Sequence, residues 1–135
     1  TPTSRFVAGF IGTANLLEGT VVATDRAGGQ VSVALDAGDT AFAKASAKWL
    51  ATAVPGQRAT LLLRPEDIRF ERPEHPGQEA GILANAGTAS FLGNRYDLQL
   101  DVAGTPLRVQ SRTPGRFEDG RARLWFRPNS AWVVE

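Results

Sequence analysis

Leu61-Leu62-Leu63-Arg64-Pro65-Glu66-Asp67-Ile68-Arg69-Phe70 is the stretch whose reading decides the fold. Leu61 to Leu63 form a short apolar run suited to a buried strand. Pro65 fixes φ and has no N–H to donate, so strand pairing ends there. Glu66 and Asp67 suit a solvated turn. Ile68 and Phe70 then alternate with Arg69, the period of a half-buried strand. The expectation is strand, tight turn and strand, a hairpin built on Arg-Pro.

The same unit returns as Leu124-Trp125-Phe126-Arg127-Pro128-Asn129-Ser130-Ala131-Trp132-Val133, with Arg127-Pro128 standing 63 positions after Arg64-Pro65. Arg121-Ala122 stands at the same distance from Arg58-Ala59. Upstream, Gly19-Thr20 and Gly87-Thr88 each open an apolar run, 68 positions apart. The chain therefore reads as two related halves, about 16–72 and 81–135, after a linker helix in 1–15. Each half runs through short strands to an Arg-Pro hairpin.

Working outward, Asn15–Ala23, Gln30–Leu35, Thr40–Ala45 and Gln57–Leu63 read as strands of the first half. Ile82–Leu92, Arg95–Val102, Thr105–Ser111, Gly120–Phe126 and Ala131–Val134 serve the second. Ala45–Val54 fits a helical turn or irregular chain. The Pro- and Gly-rich stretch around His75 divides the halves. Pro2–Gly12 is the best helix, with Thr3 or Ser4 as cap and Phe6, Val7, Phe10 and Ile11 along one face. The fold class is all-β, an OB-like barrel or sandwich from two related halves with a short N-terminal helix. Phe6, Phe10 and Ile11 are the interface candidates, because burying such side chains is worth roughly 1.5–3 kcal/mol each.

Composition excludes more than it asserts. Fifteen basic against 14 acidic residues leave a net charge of +1, which does not suit a nucleic-acid or membrane surface. There is no cysteine, hence no disulfide or thiolate site. No apolar run approaches the roughly 18 residues of a spanning helix. The absence of methionine leads to the expectation that the chain is a fragment or processed product.

Catalytic constellations are wanting. His75 is the single histidine and reads as a solvated loop residue, not a metal ligand. Glu66 and Asp67 are adjacent, and adjacent turn residues point apart, which does not suit a paired-carboxylate mechanism. No Gly-x-x-x-x-Gly-Lys loop is present to cradle a nucleotide. Arg64, Pro65, Glu66, Arg127 and Pro128 are thus structural or regulatory candidates. The arginines are expected to hold carbonyls or acids at their turns; ligand binding is the alternative. No catalytic, cofactor-binding or metal residue is assigned.

Arg5-Phe6-Val7-Ala8-Gly9-Phe10-Ile11-Gly12-Thr13-Ala14-Asn15-Leu16-Leu17 resembles the segment that follows the nucleotide-binding domain in ATPase subunits of bacterial ABC importers. Gly19-Thr20-Val21, Leu63-Arg64-Pro65-Glu66-Asp67-Ile68, Phe91-Leu92-Gly93 and Trp125-Phe126-Arg127-Pro128-Asn129-Ser130-Ala131-Trp132 resemble, in that order, the transport-associated OB (TOBE) domain that comes next. The flavour is nearest the spermidine/putrescine branch, with iron and sugar importers close. The resemblance implies a regulatory and dimerising C-terminal domain, non-enzymatic in itself, of a subunit that powers import of a small solute such as a polyamine. ATP and Mg would belong to the preceding nucleotide-binding domain. The implied partners are that domain, a second copy and the membrane permease, with no nucleic acid, at the cytoplasmic side of the inner membrane. The alternative is a small-ligand-sensing module. The molybdate signature of oxyanion-binding relatives is missing.

Overall fold

The computed structural model describes residues 14–73 and 79–135. The helix expected at Pro2–Gly12, with Phe6, Phe10 and Ile11, and the loop residue His75 lie outside the described residues.

Alternation of apolar and polar residues produces strands wherever one face can be buried. The first half supplies β1 (Asn15–Asp25), β2 (Gln30–Leu35), β3 (Thr40–Lys44) and β4 (Arg58–Leu63). The second supplies β5 (Ala80–Phe91), β6 (Tyr96–Val102), β7 (Thr105–Ser111), β8 (Arg121–Phe126) and β9 (Ala131–Val133). One helix, α1 (Ala47–Thr52), joins β3 to β4. Its sequence was ambiguous, and two features settle it: the Ser46 hydroxyl caps the Trp49 N–H at 3.1 Å, and Leu50 enters the core.

The strands make a closed barrel, ordered β1-β2-β3-β9-β4, and a four-stranded sheet, ordered β7-β6-β5-β8. The all-β, OB-like reading holds. The topology within it corrects the hairpins. After β4 a 3₁₀ turn, Pro65–Asp67, carries the chain away from the barrel, and Arg69 pairs with Trp125 of β8 in the other sheet. After β8 a matching turn, Pro128–Ser130, carries the chain back, and β9 pairs with β4, Trp132 facing Leu62. Moving Leu62 and Arg69 forward by the 63-residue repeat gives Trp125 and Trp132. The two bridges are one contact made twice, in opposite directions. The Arg-Pro units are crossovers by which each half lends its last segment to the other.

A proline at the first turn position explains the crossover. It cannot extend β4 or β8 as a ladder donor, and its φ suits a tight turn. The strand expected at Ile68–Phe70 shrinks accordingly to the single Arg69–Trp125 bridge, two hydrogen bonds of 2.8 Å. The Gly-Thr landmarks also need correction. Leu17 faces Leu61 and Ile82 faces Leu124, so β1 and β5 correspond at 65 positions, not 68. Gly87 instead sits at a β-bulge of β5, where a Cβ would strike the Gln99 carbonyl oxygen.

Both sheets close on one core. Val31, Val33, Leu61 and Leu63 of the barrel join Ile82, Leu98, Leu107, Leu124 and Phe126 of the second sheet in a continuous cluster. Fully burying side chains of this kind is worth roughly 1.5–3 kcal/mol each. Phe70 from the first crossover meets Phe117 from the second half edge to face, with centroids 5.6 Å apart, so the exchange is packed as well as hydrogen-bonded.

Candidate functional site

The places where one half meets the other carry the molecule's unusual polar chemistry. Asn15, at the start of β1, is 5% exposed. Its Nδ2 donates to the Arg108 carbonyl and its Oδ1 accepts the Arg108 N–H, both at 2.8 Å. A side-chain amide thus replaces a strand neighbour and joins β1 to β7. The Arg108 guanidinium in turn donates to Asp97 Oδ2 at 2.8 Å. Nothing local in the sequence marks this role; Asn15 reads there merely as a strand start.

At another seam Gly38 bridges Ile82. Asp39 Oδ2 accepts the Gly81 N–H at 3.1 Å, and the carboxylate also takes Arg123 Nη2 at 3.1 Å. Arg123 lies 5.3 Å from the Trp125 ring centroid and Arg72 lies 5.7 Å from it. Trp125 is therefore held in a cationic setting beside the exchanged bridge. On the other crossover Lys44 stands 5.4 Å from the Trp132 centroid.

Two open grooves flank Arg69. One, of about 620 Å³, is lined by Asp67, Arg69, Arg72, Trp125, Arg127 and Ser130 among others. The other, of about 600 Å³, presents Arg69, Arg95, Gln110, Arg112 and Thr113 with Glu66 and Glu71. Both mix positive and negative groups. That mixture can recognise a polar ligand or a protein surface. Among the described residues no group of three His, Asp or Glu is placed to hold a metal.

The barrel's outer face carries a separate charge cluster. Arg58 donates to Asp36 Oδ1 at 2.8 Å and to the Thr20 hydroxyl at 3.1 Å, with Glu18 at 4.0 Å. The Arg58 hydrogen bond holds the Asp36 carboxyl below the usual carboxylate range, against a smaller opposing cost of desolvation. The same bond raises Arg58.

The sequence candidates divide. Pro65 is buried at its turn, while Arg64, Glu66 and Arg127 are exposed and Pro128 is half-buried. Neither arginine caps its turn with its side chain. The Arg64 carbonyl accepts the Asp67 N–H and the Arg127 carbonyl accepts the Ser130 N–H, each at 3.1 Å. The expected role of the guanidinium groups in holding the turns thus falls to the backbone. Arg127 lines the first groove and Glu66 the second. Asn15, Asp39 and Arg123, the side chains that join the halves, were not among the candidates. Their signal is long-range pairing, which no local pattern carries.

Comparison with known proteins decides the family. The sequence model of the TOBE domain matches residues 61–134, more than half of the chain. The chain belongs to the TOBE domain family. The match spans both Arg-Pro crossovers and every strand of the second half.

This TOBE domain is 46% identical over 83 residues, 56% of the chain, to the spermidine/putrescine import ATP-binding protein PotA of Frankia alni. It is 41% identical over 85 residues, 63% of the chain, to the protein of the same name from Ruegeria pomeroyi. The aligned segments make up 17% and 21% of those relatives, so the chain spans about a fifth of their length. Among solved structures, the cytoplasmic molybdate-binding protein ModG, crystallised with molybdate bound, superposes with a TM-score of 0.67. It covers 93% of this chain and 99% of its own at 13% identity, a likeness of fold alone.

Proposed function

We propose that this TOBE domain is the regulatory part of an ATP-binding subunit that powers polyamine import, and that it has no catalysis of its own. The observation that carries the reading is the 46% identity to an import ATP-binding protein, confined to 17% of that protein. A segment so restricted, with mixed-charge grooves and no phosphate-cradling loop, fits a body that positions or senses. ATP and Mg belong, in this reading, to a nucleotide-binding domain of the parent protein. The permease is reached through that parent at the cytoplasmic side of the inner membrane, as a peripheral association. The domain pairs with a second copy and takes no nucleic acid.

The test has two arms. Calorimetric titration of the chain with Mg-ATP is expected to show no binding, since the sequence holds no Gly-x-x-x-x-Gly-Lys loop to cradle phosphates. In the parent protein, deleting the TOBE domain is expected to leave ATP hydrolysis in place while changing its rate or its coupling to labelled spermidine or putrescine uptake. Hydrolysis by the isolated chain, or unaltered uptake and hydrolysis after deletion, would refute the reading.

A ligand-sensing reading is favoured by one observation, the 620 Å³ groove in which Trp125 stands among Arg69, Arg72 and Arg127. It adds a polar small molecule to the regulatory role and does not replace it. Quenching of tryptophan fluorescence in wild type but not in Arg127→Ala would support it.

A further inference from the structure

We propose that the groove between the first crossover and the end of the second sheet binds an ω-amino acid, a small zwitterion with its ammonium and carboxylate at opposite ends of a short aliphatic stem. It is the second of the two grooves that flank Arg69, and the assignment is independent of the solute that the parent moves.

The groove has walls of opposite charge. One is the crossover, which leaves β4 through the Pro65–Asp67 turn and carries Glu66 and Glu71. The other is the end of the second sheet. Tyr96 of β6 faces Ser111 of β7 as the last pair of that ladder. Arg95 precedes Tyr96 and Arg112 follows Ser111, so the two arginines continue the strands side by side. Like charges so placed repel. Among the described residues, ion pairs join Arg58, Arg108 and Arg123 to acids, and none engages Arg95, Arg112, Glu66 or Glu71. Opposite charges thus line one groove of about 600 Å³ without meeting.

Both walls are pinned. The Leu92 N–H donates to the Arg95 carbonyl at 2.8 Å, which closes the turn between β5 and β6. Beside Arg112, the Ser111 hydroxyl accepts the Thr113 N–H at 3.2 Å and the Thr113 hydroxyl accepts the Gly115 N–H at 3.4 Å. On the crossover, two backbone hydrogen bonds of 2.8 Å tie Arg69 to Trp125. Arg69 Nη1 donates to the Glu66 carbonyl at 3.1 Å, which turns this guanidinium back on its own turn. Backbone fixed in this way lowers the cost of ordering the site when a ligand arrives.

The charge pattern selects the ligand. A simple anion would gain Arg95 and Arg112 but meet Glu66 and Glu71, and a simple cation would meet the reverse. A zwitterion satisfies both walls, its carboxylate taking paired N–H bonds from a guanidinium. In an α-amino acid the two charges share one carbon, too close together for groups that stand on separate elements beyond ion-pair distance. An ω-amino acid separates them. Half-buried Phe70, packed on Phe117, offers an apolar surface to its stem. A single exposed ion pair gains little, so binding depends on both ends at once.

Nuclear magnetic resonance titration of the whole chain tests the assignment, with γ-aminobutyrate and ε-aminocaproate as probes and butyrate and butylamine as single-charge controls. The expected result is concerted movement of the amide signals of Arg95, Tyr96, Arg112 and Thr113 with those of Glu66 and Glu71. At least one probe should bind about tenfold more tightly than either control. The four charged side chains are exposed, and the spectra themselves establish that each variant folds. Arg95→Gln and Arg112→Gln should each weaken the probe about fivefold or more. Glu71→Gln should weaken the probe while leaving butyrate as tight as before or tighter, a reversal that a merely structural role for Glu71 would not produce. Controls that bind as tightly as the probes would overturn the proposal. So would movement confined to Arg72 and Trp125 of the other groove, or no movement with either probe at tens of millimolar.

Discussion

Asn15→Ala should loosen the two halves more than any other exchange of a single polar side chain. The wild-type amide satisfies both the N–H and the C=O of Arg108 at 2.8 Å, in a position 5% exposed. Truncation leaves one donor and one acceptor without their partner. A buried group so stranded costs about 1–3 kcal/mol, and entry of water reduces the sum, so we expect a loss of about 2–4 kcal/mol. For a domain of this size that lowers the thermal midpoint by roughly 10 °C. Asn15→Asp sharpens the test. Its carboxylate still accepts the Arg108 N–H but faces the Arg108 carbonyl with an oxygen. The folded state therefore raises the pKa of this introduced carboxyl and binds a proton more tightly than the unfolded state. Stability of the variant should rise as pH falls through that raised pKa, opposite to the behaviour of an ordinary paired carboxylate. Urea and thermal melts at neutral and mildly acid pH supply the readout. A change under about 0.5 kcal/mol in Asn15→Ala would refute the bridging role.

Other expectations follow from the same structure. Arg64→Ala and Arg127→Ala should each stay within about 0.5 kcal/mol of wild type in denaturant melts, because the turns use the arginine carbonyls. Gly87→Ala should cost more than about 2 kcal/mol, since its Cβ would meet the backbone of Gln99; an unchanged midpoint would show that the bulge can relax. Asp36 should titrate below an ordinary aspartate by NMR and return upward in Arg58→Ala. Because its folded-state pKa is depressed, any stability from that pair is present above about pH 4 and is lost as pH falls through the folded value.

Much of the fold was legible because strands announce themselves by alternation. Gln30–Leu35 and Thr105–Ser111 have the boundaries that the pattern gave, and the other strands differ by one or two residues at an end. The repeat at Arg-Pro was visible too, but its meaning was not. A proline says that a strand must stop; it does not say which sheet the chain enters next. That choice is made by Phe70 against Phe117 and by Trp132 against Leu62, contacts between residues far apart in sequence. The Gly-Thr landmarks misled because glycine serves two purposes. Gly19 lies in regular strand close to the Ala34 backbone, whereas Gly87 relieves a bulge. α1 was undecided because Ala-rich sequence accepts several conformations, and burial of Leu50 chose one. Among site candidates, exposed Arg64 and Arg127 drew notice by repetition, while Asn15 and Asp39, whose partners stand 93 and 42 positions away, gave no local sign.

The claim at the centre of this account is that each half completes the other, so that a TOBE domain built from a repeat unfolds as one cooperative body. Amide hydrogen exchange under native conditions tests it most directly. The Arg69 and Trp125 amides of one bridge and the Trp132 and Leu62 amides of the other should exchange with the same free energy, equal to that of global unfolding, and should shift together with denaturant. Exchange of one half's bridge amides through a separate opening of lower free energy, with the other half still protected, would contradict it.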